Sequence, residues 1–329
     1  MQKRGRIAFI TTPEYRDKHP GEVEEFAFRY LYPLCNWFEV LSTGRTYGHV
    51  MNIVARRPID DVNRSMIEEG TQFLVDTEED LLRWQKTIEQ GLVQMRPSIQ
   101  GMIELAFELV EGRLDAIIHL TDWADVAGKP DSMVLRREAN VHNVPIASDI
   151  HTAATALKTW GSRIVASPMD TSIFPRRKPP EELPLDGLAA DNKVLALIAH
   201  DQMKLEMCCF VVEHAQKIFG EFDFILATGT TGKWIKRFAL ACGRSQHEVE
   251  KVRCCLSGPY GGDVQIAAAV VKKLCRKVIF LQDPFTSHAH ETDIRLFEQA
   301  VLLFEQAVLK GLQVELATNV ASAEAILGL

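Results

Sequence analysis

The chain has 329 residues, enough for two average domains, and is 47% apolar and 25% charged, as in ordinary soluble globular proteins. A formal net charge of −7 argues against a nucleic-acid partner, whose readers usually carry a basic face. No uncharged apolar run approaches the roughly 18 residues of a membrane-spanning helix, so no membrane partner is expected.

Near the N-terminus the apolar run Ile7–Ile10, within "RIAFIT" (Arg6–Thr11), reads as a buried strand rather than a signal peptide. An apparent helix follows, then "VLSTGRTY" (Val40–Tyr47), an acidic helical segment near Asp76–Gln90, "LDAIIHLTD" (Leu114–Asp122) and "VPIASDIHTAATAL" (Val144–Leu157). The stretch from Pro175 to Pro184 then holds four of the chain's fourteen prolines. Proline fixes φ and removes a donor, so this stretch is neither helix nor central strand, and residues 170–192 read as a linker. Beyond it the earlier features return in the same order. "VLALIAH" (Val194–His200) opens the series, followed by "ILATGTTG" (Ile225–Gly232), "RKVIFLQD" (Arg276–Asp283) and "VELATNVASAEAIL" (Val314–Leu327). Met102 to Asp122 and Asp263 to Asp283 are the same distance apart in sequence. We read an internal duplication, with domains at 1–169 and 193–329.

The strands are continuous apolar runs alternating with helical patterns, which implies βα units and a mostly parallel sheet covered on both faces. Each half is therefore expected to be an α/β, three-layer αβα domain. Ligands of such sheets sit outside the carboxyl ends of the strands. In the second half His200, the Thr228 loop, Ser257 and Asp283 all fall there.

Two further features stand apart. "LFEQAVL" occurs twice in tandem, Leu296–Leu302 and Leu303–Leu309, and predicts a helix lengthened by about two turns. The seven cysteines form no C-x-x-C pair, and the doublets Cys208-Cys209 and Cys254-Cys255 read as small buried residues of a reducing compartment. No metal site is expected from that spacing.

Each polar group has two readings. In "HDQMK" (His200–Lys204), Asp201 can cap a helix with Lys204 on its surface, or Lys204 can stand beside an anion at the helix start. "TGTTG" (Thr228–Gly232) is a turn with a threonine cap, or a hydroxyl-lined cradle; it lacks P-loop spacing. "SGPYGGD" (Ser257–Asp263) ends in a carboxylate that either caps the following helix or faces a bound ligand. "DPFTSHAHETD" (Asp283–Asp293) is a solvated loop, or supplies His290 and Asp293 to a site, with His288 a bystander. Beside a phosphate held by neutral donors and one lysine, Asp263 could take a proton from a carbon next to a carbonyl. A neutral histidine could stabilise the resulting oxyanion, and a phosphate β to the carbanion could leave.

Taken together, "AHDQMK", "LATGTTG", "LSGPYGGD", "DPFTSHAHETD" and "ATNVA" make the second half, roughly Lys193 to Leu327, resemble methylglyoxal synthase. The resemblance implies conversion of dihydroxyacetone phosphate to methylglyoxal and inorganic phosphate by a cytoplasmic, cofactor-free homo-oligomer. It implies Asp263 as base, His290 as the contact to the substrate's carbonyl and hydroxyl oxygens, and Asp293 and Asp283 as supporting carboxylates. His200, Lys204, Thr228, Gly229, Thr230, Thr231, Ser257 and Gly258 would form the substrate and phosphate cradle; the role of Asp201 stays open. Family members usually continue past the "ATNVA" strand with a tail carrying a basic residue, whereas this chain stops at Leu329. A different phosphate response or different subunit contacts are expected on that account, and the LFEQAVL insertion is expected to alter packing near Asp293.

In the first half Met102 stands at the position of Asp263, Lys129 near that of His290, and Thr12-Pro13 at that of His200-Asp201. Thr43, Gly44, Thr46 and Asp122 survive, joined by Arg45. Methionine cannot act as a base, so this half is expected to be inactive in the reaction: either structural, or an anion holder through Arg16 and Arg45. Domains of the same fold also serve as regulatory or nucleotide-processing parts of larger enzymes, so a non-catalytic phosphometabolite-binding protein is the rival reading. Three chains carrying six such domains would form a pseudo-hexamer.

Overall fold

A computed structural model describes residues 5–62, 75–122, 129–166, 173–174, 183–283, 295 and 314–329. The chain divides into two compact units, Met1–Pro179 and Pro180–Leu329. Each is built on a five-stranded sheet whose pairings are all parallel.

The first sheet comprises β1 (Arg6–Thr11), β2 (Glu39–Ser42), β3 (Leu92–Gln94), β4 (Ala116–Leu120) and β5 (Ile146–Ala147), in the order β3-β2-β1-β4-β5. The second comprises β6 (Val194–Ala199), β7 (Phe224–Ala227), β8 (Val252–Cys254), β9 (Lys277–Leu281) and β10 (Glu315–Ala317), in the order β10-β9-β6-β7-β8. Counted within each unit the order is the same. So is the register: Ile7 lies opposite Val40 and Ala116, while the corresponding Leu195 lies opposite Ile225 and Lys277. The central strands are buried almost throughout, as expected of a parallel sheet flanked by helices on both faces. β3 and β8 went unread in the sequence. Each has three residues, too few to establish a periodicity.

Helices follow from apolar spacing and local caps. The acidic segment forms a helix over Glu78–Gly91, with Thr77 accepting from the Asp80 amide. It packs on the helix Pro20–Trp37, where Trp84 stacks on Phe28 with ring centroids 6.0 Å apart. The last helix, Val320–Leu327, is capped by Asn319, which accepts from the Ser322 amide.

Two expectations are modified. Ile173 and Phe174, inside the stretch read as linker, are buried in the core of the first unit, and Phe174 meets Trp160 edge-on at 5.1 Å. In addition, only one cysteine of each doublet is buried: Cys208 and Cys255 are, while Cys209 is exposed and Cys254 is half-buried. For the first doublet the reason is geometric, since consecutive residues of a helix point about 100° apart.

In the middle of the first sheet, His119 on β4 is fully buried, and burial pushes its imidazole down from 6.5 to about 4. The folded chain therefore holds a neutral ring where the unfolded chain takes up a proton. Stability from this group is intact above pH 6.5 and is lost as pH falls toward 4, in total about 3 kcal/mol. His119→Leu is expected to flatten that part of the acid limb in urea unfolding followed between pH 7 and pH 4.

Candidate active site

The second unit places its polar groups where the strand order reverses. The chain runs outward from β6 through β7 to β8 and then crosses back to β9, so β6 and β9 flank the crevice in which open parallel sheets bind ligands. There the Asp283 amide donates to His200 Nδ1 at 2.8 Å. An amide can only donate, so Nδ1 keeps its lone pair and the ring is neutral with its proton on Nε2. Phe280 holds the ring edge-on, with centroids 4.9 Å apart at 89°.

Beyond His200 the chain makes a 3-10 turn, Asp201–Met203, before the helix Lys204–Glu213 begins. Asp201 is thus not the cap of an α-helix, and Lys204 is the first α-helical residue rather than lying one turn in. The Lys204 ammonium pairs with the Asp201 carboxylate; the lysine side chain is 15% exposed and the aspartate 87%.

Thr228 occupies the N-cap of the helix Gly229–Ala241, but its side chain caps no amide. Its hydroxyl donates instead to Thr231 Oγ1 at 3.1 Å. Gly229 is packed against the loop that follows β8, where a Cβ would meet the Cys255 carbonyl oxygen at 2.8 Å.

The segment Ser257–Asp263 folds around two further glycines. Gly261 adopts φ +96°, which a side chain resists. Gly262 begins the helix Gly262–Val271 so close to the preceding loop that a Cβ would stand 1.9 Å from the Leu256 carbonyl oxygen. Gln265 secures the loop from the other side, its Oε1 accepting the Leu256 amide at 2.7 Å. Asp263 follows in the first turn and is 2% exposed. The cap position belongs to Gly261, so the carboxylate is not an N-cap.

These pieces enclose a pocket of about 270 Å³, lined by His200, Asp201, Lys204, Thr228, Thr230, Ser257, Gly258 and Asp263, with Ile198, Ala199, Pro259 and Phe280 as its apolar and backbone walls. Gly229 and Thr231 lie behind the lining and shape it. Asp283 reaches the site through its main-chain amide to His200. His290, Asp293, His288 and the LFEQAVL repeat lie outside the described residues. Sequence reasoning missed Gln265 and Phe280, which sit in apolar runs and carry no signal of their own.

The first unit repeats this frame with different chemistry. The Gly44 amide donates to Arg96 O as the Gly229 amide donates to Leu256 O. Glu104 accepts the Arg96 amide as Gln265 accepts that of Leu256. A Cβ on Gly101 would stand 2.0 Å from the Arg96 carbonyl oxygen, matching Gly262. Met102 therefore follows the close-packed glycine as Asp263 does, and it is 6% exposed.

Known proteins resemble one domain's length of this chain. A methylglyoxal synthase of Thermus thermophilus is 43% identical over 135 residues, which are 41% of this chain and 92% of that protein. A methylglyoxal synthase of Clostridioides difficile is 41% identical over 131 residues, covering 40% of this chain and 81% of the relative. The crystal structure of methylglyoxal synthase from Elizabethkingia anophelis aligns with a TM-score of 0.34 and 30% identity, over 42% of this chain and 78% of that one. No protein-family profile matches the chain.

The two kinds of glycine separate experimentally. Gly262→Ala forces backbone apart and is expected to lower stability by about 1–3 kcal/mol in thermal unfolding. Gly220→Ala, on a helix with nothing within 4 Å of the new Cβ, is expected to leave stability equal or raise it by up to about 1 kcal/mol.

Proposed function

The chain belongs to the methylglyoxal synthase family, and from that premise we propose that its second domain eliminates phosphate from dihydroxyacetone phosphate to yield methylglyoxal. The observation that carries this reading is the company of Asp263. A buried carboxylate shares one small pocket with a single lysine, a neutral histidine and threonine and glycine loops.

In the proposed scheme the phosphate lies against Lys204, Thr228, Thr230, Ser257 and Gly258. Helix-start amides and hydroxyls give it neutral donors, and Lys204 gives it one charge. Asp263 takes a proton from the hydroxymethyl carbon beside the ketone. The electron pair moves onto the carbonyl oxygen as an enediolate. That oxygen receives hydrogen bonds, from His290 as the family resemblance implies and from the Nε2–H of His200 as its tautomer allows. The oxygen on the former ketone carbon then takes a proton while the hydroxyl on the deprotonated carbon gives one up. That second oxygen closes to an aldehyde carbonyl, the double bond shifts toward the far carbon and phosphate leaves. The remaining enol becomes methylglyoxal by losing its hydroxyl proton and taking one at its methylene. Neutrality of His200 suits this role, because a full positive charge there would pair with Asp263 and lower its basicity. Asp293 and the Asp283 carboxylate are proposed as supports. The scheme uses no metal or organic cofactor.

The rival reading, a binding protein without turnover, is favoured for the first domain by Met102, which has no proton-accepting group at the position of Asp263. For assembly we propose three chains presenting six domains, a cytoplasmic homo-oligomer whose mass by light scattering would be three times that of the chain.

Asp263→Asn keeps the shape of the side chain and removes the base. Methylglyoxal release from dihydroxyacetone phosphate, read colorimetrically, is expected to fall about 10²- to 10⁴-fold while calorimetric binding of inorganic phosphate persists. Equal rates in variant and wild type would overturn the base; wild type that binds without turnover would favour the rival.

A further inference from the structure

We propose that the first domain carries a second, non-catalytic site for a phosphate-bearing small molecule, held by Arg16 and Arg45 at the carboxyl edge of its sheet. The juxtaposition follows from the shared frame. Lys204 stands four residues after His200, the residue following β6, and Arg16 stands four after Thr12, the residue following β1. Thr12 and His200 are fixed alike, their amides donating to Leu120 O and Leu281 O at 3.1 Å each. Arg45 stands two residues after Thr43 as Thr230 stands two after Thr228. One lysine in the second domain is thus replaced by two guanidinium groups, at positions where the second domain lines its pocket.

The arginines are held in place. Arg16 Nη1 donates to the Thr11 carbonyl oxygen at 2.6 Å and to Thr11 Oγ1 at 2.9 Å. Thr46, beside Arg45, is fully buried and bonds Thr43 Oγ1 at 3.2 Å and the Thr11 carbonyl oxygen at 3.3 Å. This anchors the start of the Arg45 helix to the residue that positions Arg16. Burial first, and then the charge of Arg45, holds the Arg16 guanidinium below its ordinary value, with Asp17 and Glu14 acting in the opposite sense. The His49 imidazole is likewise pushed below its ordinary value, by burial first and then by Arg16.

Nearby acids are otherwise engaged. Glu14 pairs with Lys129, and Asp122 lies 3.7 Å from Lys18. Among the described residues no carboxylate makes an ion pair with Arg16 or Arg45, and Asp17 is exposed. Two guanidinium groups, one bonded to the Thr11 hydroxyl and one at the start of the helix that carries Thr46, suit fork-like hydrogen bonding to a phosphate dianion. With Met102 in place of a base, the bound molecule leaves unchanged. Inorganic phosphate and a phosphate ester offer the same oxyanion, and the ligands tested distinguish them.

The experiment is hydrogen exchange of the full chain, resolved by peptide, with and without saturating inorganic phosphate or dihydroxyacetone phosphate. Protection is expected in peptides spanning 11–17 and 43–49, whatever happens at 200–204 and 257–263. Arg16→Gln with Arg45→Thr is expected to abolish it. Arg45→Thr alone, a change at an exposed side chain, is expected to weaken the midpoint of that protection about tenfold. Protection by phosphate but not by the ester identifies the free ion as ligand, and the reverse identifies the ester. Absence of protection at 11–17 and 43–49 with both ligands, or protection unchanged in the double variant, would overturn the proposal. The readout is local to the first domain, so it stands or falls independently of catalysis in the second.

Discussion

The pocket depends on one steric constraint, the approach of a helix to the loop before it so close that its first residue has no room for a Cβ. At Gly262 the added atom would stand 1.9 Å from a main-chain oxygen, and no side-chain rearrangement could relieve that. Because the helix starts there, the next residue enters the first turn buried and facing the strand ends. The Gln265 bond to the Leu256 amide holds the loop in the same relation from inside the helix. Asp263 is therefore delivered to its position by backbone packing, and its carboxylate takes no part in capping.

A like close approach recurs at Gly101, there in the first turn of the helix Ser98–Val110 rather than at its first residue, with a matching amide-to-side-chain brace through Glu104. Strand order and register are repeated as well. Among the differences are residues near the carboxyl edge of each sheet: Thr12 for His200, Arg16 for Lys204, Arg45 for Thr230, Met102 for Asp263. Such residues add little to sheet packing, so the chemistry of one copy can change while its fold stays intact. The two units have the architecture of one scaffold carrying two sets of end-of-strand groups.

Much of this was legible in the sequence. Continuous apolar runs located the longer strands, and Arg6–Thr11 matches the structure to the residue because its apolar run Ile7–Ile10 is closed by a polar residue at each end. The pairing of Met102 with Asp263 followed from equal spacing, and the two glycine contacts give that pairing a structural basis. Of the edge strands β3 and β8 escaped, three residues carrying no period, whereas the segments of β5 and β10, no longer, were marked by their recurrence in the two halves. The choice between cap and pocket for Asp263 could not be made from sequence either. A helix start leaves its N-cap ambiguous by a residue or two, and here a left-handed glycine takes the cap. The tautomer of His200 was equally hidden, since it depends on an amide 83 positions away that only the crossing from β8 to β9 brings near.

One contact described above has a bearing on affinity. Lys204 is already paired with Asp201, whose side chain is almost wholly in solvent. An incoming anion therefore meets a partly neutralised ammonium and must exchange places with a tethered carboxylate. That exchange moves no net charge between the lysine and its partner, and the released aspartate is rehydrated at little cost from its exposed position. The tether acts as a built-in competitor. It sets an upper limit on how tightly the lysine can hold any anion that enters the pocket.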